Sequence, residues 1–508
     1  MKTKIYILSL LTVLLTSCDG YFSGMDIKNE YDPDIETVMG DINQYPALIG
    51  GGYANWWKYS LEAGDGDTWR LAVNADVYAG GAGNFGLREH MYYANCEKAE
   101  IANTDQNAGF PKRLWYNYYS MINTVRNMLA MMKEKELVYK EGGQDVTYKI
   151  LANNYFLMGA YYTELALLFD KCFILTEDTD IQNVTVDNIA EAKDVQALAL
   201  AYLDKCISIC KEHEFGNFEG LLPLNVVGDN KKLEKMANFM AARAIAYFPR
   251  TNEETVNWTK VLSYINNGLS EDIKATLPLQ GFDIWSAAVA GYPEGNQWVR
   301  VGMRIINMMA KDDKSAPWPL PADFLNSDVL PEVTNSPDNR IKTDFIYYPS
   351  ATTPSGGLSY AGYQYYSSYV LKRFTETGQP SGAGDLYLFM KAESDLLKAE
   401  ALLNTDKKEE AVPLINITRT GRGNMKDITA SSTEAEVLEA IYYERFVECG
   451  FAYAGTSFYD RRRTPIDKFQ LTTRSFRQLP IPVIELKFYN LDSYTFGGEP
   501  DKNDKYKF

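Results

Sequence analysis

The stretch 386–422, LYLFMKAESDLLKAEALLNTDKKEEAVPLINITRTGR, restricts the fold most tightly. Phe389, Ala392, Leu396, Ala399 and Leu403 recur at steps of three and four. That is the spacing of one face of an α-helix, and an apolar face of that length must bury. Asn404 offers a left-handed stop. Asp406 with Glu409 three residues on has the form of a capping box for a second helix, so a helical hairpin is expected. Pro413 should kink that second helix or delay its start. Glu393 and Glu400 lie seven apart beside the stripe and need donors such as Arg419 or Arg422. Carboxylates in a helical groove can be catalytic, but acids so placed are usually paired, and a structural role is the expected one.

The chain opens MKTKIYILSLLTVLLTSC. Lys2 and Lys4 form a basic region, 5–15 an apolar one too short to span a bilayer, and Leu15-Thr16-Ser17-Cys18 closes it, the pattern of a secretory leader. It resembles a bacterial lipoprotein signal, with cleavage before Cys18 and lipidation of that thiol. Acyl chains on Cys18 would then hold the protein on a membrane. The net charge of −16 repels phosphate backbones, so nucleic acid is not expected as a partner. Beyond Cys18 the cysteines are Cys96, Cys172, Cys206, Cys210 and Cys449, without a CxxC pair; Cys206 and Cys210 fall one helical turn apart as core thiols. With only His90 and His213, histidine-rich zinc sites and serine–histidine or cysteine–histidine catalysis are disfavoured.

A first helix is expected over 45–61. Glycine, asparagine and aromatics dominate 62–111, which suits long loops with one short strand at 71–78. Gly81-Ala82-Gly83-Asn84-Phe85-Gly86 fits GxGxxG, but no alternation of strands and helices follows it, so a ligand-facing or flexible loop is expected rather than a dinucleotide site. Amphipathic helices follow at 112–133, 151–169, 195–213, 232–248 and 258–269. Helices in such succession suggest a tetratricopeptide-like stack, each hairpin leaving an apolar face for the next. The stretch 270–383 breaks the run and carries Trp285, Tyr292, Trp298, Trp318 and the tyrosine-rich segment 360–369. An insertion this long is seldom idle. Thr433 and Glu436 make another capping box for a helix over 434–446.

Five motifs, in this order, resemble the SusD/RagB family of surface lipoproteins that capture nutrients in Bacteroidetes. Cys18-Asp19 follows the leader. Trp115, Tyr119, Ile122, Asn123 and Asn127 match one family helix. Glu393, Ala399, Glu400 and Ala401 match an acidic helix, with Asn416 and Arg419 in the next. Glu444-Arg445, Glu448, Gly455, Asp460, Arg462 and Arg463 match a glutamate–arginine helix and the turn beyond it. Pro480-Ile481-Pro482 and Glu485 match a segment near the C-terminus. The sequence departs from the pattern at Ala454 and Ser457, where charged residues are usual, at an apparent insertion of Cys449-Gly450, at Asp170 and Phe173, and after Asn490. The resemblance implies a mostly α fold: a tetratricopeptide-like stack with long, loop-rich, aromatic insertions forming a ligand face. It implies a leader over 1–17 and one domain over 18–508, with a tether at 18–34, an N-terminal helical part at 35–269 interrupted by loops at 62–111, an insertion at 270–385, and a hairpin and irregular tail at 386–508. It further implies an outer-membrane, lipid-anchored protein facing the exterior, partnered by a TonB-dependent SusC-like transporter, with no catalysis of its own and no cofactor.

Sugar rings present apolar C–H faces and hydroxyl edges, so a glycan site needs flat aromatics flanked by polar groups. Trp285, Tyr292 and Trp298 cluster with Asn296 and Arg300 as the first expected site. Trp69, Arg70, Asp76, Tyr78, Asn84 and Phe85 supply a second shoulder. Trp318 between two prolines reads as a packing anchor. Peptide capture, a surface glycoside hydrolase and a structural adhesin remain as alternatives. No EF-hand spacing supports calcium.

Overall fold

The computed structural model describes residues 35–60, 67–80, 90, 109–218, 228–277, 299–311, 314–318, 330–347, 367–373, 384–451, 455–472, 475–494 and 496. The architecture is mostly helical. Helix α1 (Ile35–Gly40) leads into α2 (Tyr45–Ser60) and α3 (Asp67–Asn74), and strand β1 (Tyr78–Gly80) follows. The long α4 (Gly109–Lys135) is followed by a two-residue hairpin of β2 (Lys140–Glu141) and β3 (Gln144–Asp145).

Helix α5 (Thr147–Leu168) is the centre of the N-terminal half, buried on nearly every side and touched by α2 and α4. After the antiparallel pair β4 (Lys171–Phe173) and β5 (Ile189–Glu191), α6 (Ala192–Glu212) lies along it, and α7 (Asn230–Ala246) and α8 (Trp258–Ile265) continue the succession. The α5–α6 approach depends on Gly159, where a Cβ would stand 2.5 Å from Leu203 Cγ. Cys206 and Cys210 sit one turn apart in the core of α6 as free thiols.

Tyrosines supply much of this interior, each tying its hydroxyl to another segment. Tyr161 donates to Gly52 O at 2.7 Å, Tyr53 to Asn153 Oδ1 at 3.0 Å, Tyr162 to Leu175 O at 2.7 Å and Tyr119 to Phe173 O at 2.8 Å. A buried hydroxyl without a partner would cost stability, so these rings lock loops onto helices while filling volume.

The insertion leaves and returns through a neck. Strand β6 (Ile273–Leu277) pairs antiparallel with β10 (Gly384–Phe389). Beyond β10, α11 (Lys391–Leu403) packs directly on α8. Between neck strands lie β7 (Val299–Val301), α9 (Met303–Met309), α10 (Arg340–Thr343), β8 (Phe345–Tyr347) and β9 (Tyr369–Leu371). The C-terminal part adds α12 (Lys408–Arg419), α13 (Glu434–Glu444), α14 (Thr456–Arg461) and α15 (Val483–Phe488).

Several local expectations change. Residues 71–74 are the end of α3, and the strand begins only at Tyr78. Phe389 ends β10 instead of opening the helix, yet it is fully buried against the rings of Trp56 and Phe239. Asn404 is not left-handed; Asp406 takes that conformation, with φ +60°. Its side chain makes no cap, because Lys407 is the residue before α12 and no side-chain cap forms there. Pro413 lies inside α12, which begins five residues before it. The Thr433–Glu436 capping box is present. At Arg445–Cys449 the helix widens into a π turn, at the place where the family pattern suggests inserted residues, and so absorbs extra chain without breaking.

Glu393 and Glu400 are both buried, but their partners are not Arg419 or Arg422. Glu393 pairs with Arg243 and accepts from Tyr247 Oη at 2.9 Å. Glu400 accepts from Arg445 Nη1 at 2.6 Å and Arg463 Nη2 at 2.8 Å, with Tyr442 Oη at 3.0 Å. Asp460 links the same two arginines at 2.9 and 2.7 Å. Burial alone would raise the Glu400 pKa; the two guanidiniums hold it at about 2. Arg419 and Arg422 serve a neighbouring group instead: Arg422 meets Asp344 at 2.5 Å and Glu448 at 2.8 Å, and Arg419 lies 3.6 Å from Glu444. At the middle of that group Arg340 joins Asp338, Glu444 and Glu448. Spacing along one helix could show that these acids needed donors, but not that the donors would come from α7, the π turn and the chain beyond α14.

Candidate functional site

The aromatic segments singled out in the sequence share one root. Strand β1 pairs antiparallel with β7, in the register Tyr78 with Val301, Ala79 with Arg300 and Gly80 with Val299. Gly80, the last described residue before 81, therefore stands opposite Val299, the first described residue after 298. The third aromatic segment rejoins at Ser367, whose N–H and hydroxyl donate to Val301 O at 3.3 and 2.7 Å, and β9 runs on from there beside β7. Strand β9 in turn pairs antiparallel with β8. Tyr369 Oη accepts from Val333 N at 2.7 Å, which fixes the outer edge.

Beneath this root the chain is clamped. Asp76 turns it with φ +56°, a left-handed geometry that aspartate tolerates better than most residues. Its carboxylate receives Arg304 Nη1 at 2.9 Å and Arg461 Nη2 at 3.4 Å. Arg304 also donates to Lys468 O and Gln470 O, each at 2.7 Å. Gly302 donates its N–H to Val77 O at 2.7 Å, and a Cβ there would lie 2.3 Å from Asp76 O, so only glycine permits the approach. Tyr78 and Phe345 both meet the ring of Phe451 edge-on, at 5.1 and 5.6 Å. Trp318, read as an anchor, lies under the Arg304 guanidinium at 5.4 Å.

This geometry changes two expected contacts. Asp76 and Tyr78 are buried, with the acid held by two arginines and the ring by Phe451, so they support the site from inside instead of facing ligand. Arg300 is placed by its backbone opposite Ala79, Trp69 by its backbone on α3, and Arg70 is half-buried on the same helix. Trp285, Tyr292, Asn296, Trp298, Asn84 and Phe85 lie outside the described residues, as does Cys18. Sequence reasoning missed Arg304, Arg461 and Gly302. A glycine directly after the short strand-like run Val299-Arg300-Val301 was a usable sign of close backbone approach; nothing local marks either arginine.

A second feature is a cleft of about 760 Å³ between the β4–β5 pair, the start of α6, the loop after α7 and the C-terminal segment. Asp170, Arg250, Gln478 and Tyr494 are in its wall. Its polar groups are largely occupied: Tyr494 Oη donates to Asp170 Oδ1 at 3.0 Å, and Arg250 donates to the carbonyls of Ala166, Phe169 and Phe248. Burial lifts the Asp170 pKa to about 6 against the lowering pull of Tyr494 and Lys171. Arg250 covers the ring of Phe248 at 4.9 Å. The cleft thus offers a ligand less unspent chemistry than its volume suggests.

Among the described residues no group of three or more His, Cys, Asp or Glu side chains is placed to hold a metal ion, and no helix is long and apolar enough to cross a membrane.

The SusD family model matches residues 237–504, more than half of the chain, and the chain belongs to the SusD family. The fold agrees. A SusD homolog from Bacteroides thetaiotaomicron superposes with a TM-score of 0.62 at 14% identity, covering 92% of this chain and 99% of that one. A SusD superfamily protein from Bacteroides vulgatus gives 0.59 at 16% identity, covering 89% and 98%. A laminarin-binding SusD-like protein gives 0.50 at 18% identity, covering 90% and 99%. No curated protein sequence matches the chain.

Proposed function

We propose that this protein is a lipid-anchored surface protein that binds an oligosaccharide or polysaccharide on its aromatic loops and passes it to a TonB-dependent SusC-like transporter in the outer membrane. The observation that carries the reading is the common root. Strands β1, β7 and β9, which border three sequence-distant segments rich in aromatics and polar side chains, stand side by side on a platform clamped through Asp76. A glycan site needs that combination, since stacking requires several flat rings held on a fixed base. The laminarin-binding relative supports the ligand class. The leader-like stretch 1–17 followed by Cys18 supports the anchor, which would keep the binding face at the cell surface.

Binding proceeds without turnover in this reading. The pair of acids that could have been catalytic, Glu393 and Glu400, is buried and paired with guanidiniums, so neither can reach a substrate. Trp285, Tyr292 and Trp298 stack on sugar faces, while Asn296, Arg300, Arg70 and Asn84 take hydroxyl edges; Trp69 and Phe85 extend the apolar surface. The test is calorimetric titration of soluble protein beginning after Cys18 against a panel of oligosaccharides, laminarin fragments among them, followed by product analysis. Binding with unaltered ligand is expected. Shortened products would replace the binding reading with a hydrolase, and peptide binding without glycan binding would replace the ligand class.

A further inference from the structure

A small, partly open cavity lies behind the clamp, walled by Tyr442, Arg445, Ser457, Asp460, Arg461 and Phe469 among others, with room for a single monatomic guest. Three of its walls carry buried polar atoms with no hydrogen-bond partner: Arg445 Nη2, Arg461 Nη1 and Ser457 Oγ. Unsatisfied buried donors are costly, and a guanidinium N–H can only donate. The other groups on these arginines are occupied. Arg445 binds Glu400 and Asp460, and Arg461 binds Asp76, Phe469 O and Gln470 O.

The charge around the cavity is also unbalanced. Arg445 and Arg463 share Glu400 and Asp460, two cations for two anions. Arg304 and Arg461 share Asp76 alone, two cations for one anion. Among these seven groups one positive charge is left without a carboxylate, and an uncompensated buried charge costs several kcal/mol.

We propose that this cavity is a binding site for one small monovalent anion of the halide class, held by Arg445 Nη2, Arg461 Nη1 and Ser457 Oγ. A halide accepts from all three donors and supplies the missing negative charge. A water molecule could accept from the two guanidiniums and donate to Ser457 Oγ, but it would leave the charge standing. Sulfate, phosphate and carboxylates are too large for a one-atom space. Because Arg461 also binds Asp76, the anion sits one link from the root of β1, so its binding tightens the platform under the aromatic loops. This inference does not depend on which ligand those loops take.

The experiment compares thermal unfolding in sodium chloride, sodium bromide and sodium gluconate at equal ionic strength, with anomalous diffraction from a bromide-soaked crystal. A saturable rise in Tm with chloride and bromide, absent with gluconate, is expected, with a bromide peak in the cavity against Arg445 and Arg461. Ser457→Ala should raise the halide concentration needed for half the effect about tenfold, since a bond to a charged group is lost. Ser457→Asp supplies the counter-charge covalently and should remove the halide dependence and the peak together. Identical melting in the three salts, or a cavity holding water only, overturns the proposal; if Ser457→Asp does not fold, the wild-type bromide map and the Ser457→Ala titration decide it.

Discussion

The charge network around Glu400 and the strand root around Asp76 are built from the same chemistry, arginine on buried carboxylate, yet they differ in what they hold. At Glu400, on α11, the partners come from α13, the π turn and the chain after α14, and all of them are buried. At Asp76 the arginines come from α9 and α14 and fix the turn into strand β1, which pairs with β7. One network holds the scaffold together. The other fixes the strands from which the loops proposed to bind ligand depart.

Removing a charge from the first network should have the largest effect on stability and the least on ligand choice. Glu400→Gln leaves Arg445 and Arg463 short of a counter-charge and should cost about 3–5 kcal/mol in denaturant unfolding, while the surviving folded protein binds the same glycans. Abolished binding at unchanged stability would reverse the two roles. Gly302→Ala forces β7 from the Asp76 carbonyl. It should cost about 1–3 kcal/mol by strain and, unlike Glu400→Gln, lower ligand affinity in proportion, measured on protein well below its Tm.

A third test uses pH. Burial raises the Asp170 pKa to about 6 from 3.8, so the folded state takes up its proton first as pH falls. The resulting stability is complete below 3.8 and is lost as pH rises through 6. Asp170→Asn keeps an acceptor for Tyr494 and should melt higher than wild type at about pH 7.5, by roughly 1–3 kcal/mol, with no gain at about pH 4. Because the cleft is placed in the scaffold half of the comparison, glycan affinity should not follow this change. The smallest stability effect is expected from Trp298→Ala, within about 0.5 kcal/mol.

The helices were legible because burial imposes a period on sequence. The stripe through Leu396, Ala399 and Leu403 located α11, and Thr433 with Glu436 located the start of α13. Helix α5 was visible too, although its burial on nearly all sides blurs any stripe. What spacing could not reach were contacts made across the chain: Arg243 on Glu393, Arg463 on Glu400, Arg304 on Asp76. Asp76 and Tyr78 show the same limit from the other side. An aspartate and a tyrosine in a glycine-rich, aromatic stretch have the composition of a binding loop, and only the pairing of β1 with β7 reveals that they form its inner support. In α2, α4 and α5 tyrosine is interior, and the hydroxyls of Tyr53, Tyr119 and Tyr161 find a backbone carbonyl or a side chain there.

The separation of scaffold from binding face is tested most directly by one calorimetric comparison, glycan titration of wild type and Trp298→Ala beside their melting curves. The account predicts an affinity loss of about tenfold or more, with superimposable melting and no shortened glycan from either protein. Equal affinities, or a loss matched by a lower Tm, would contradict it.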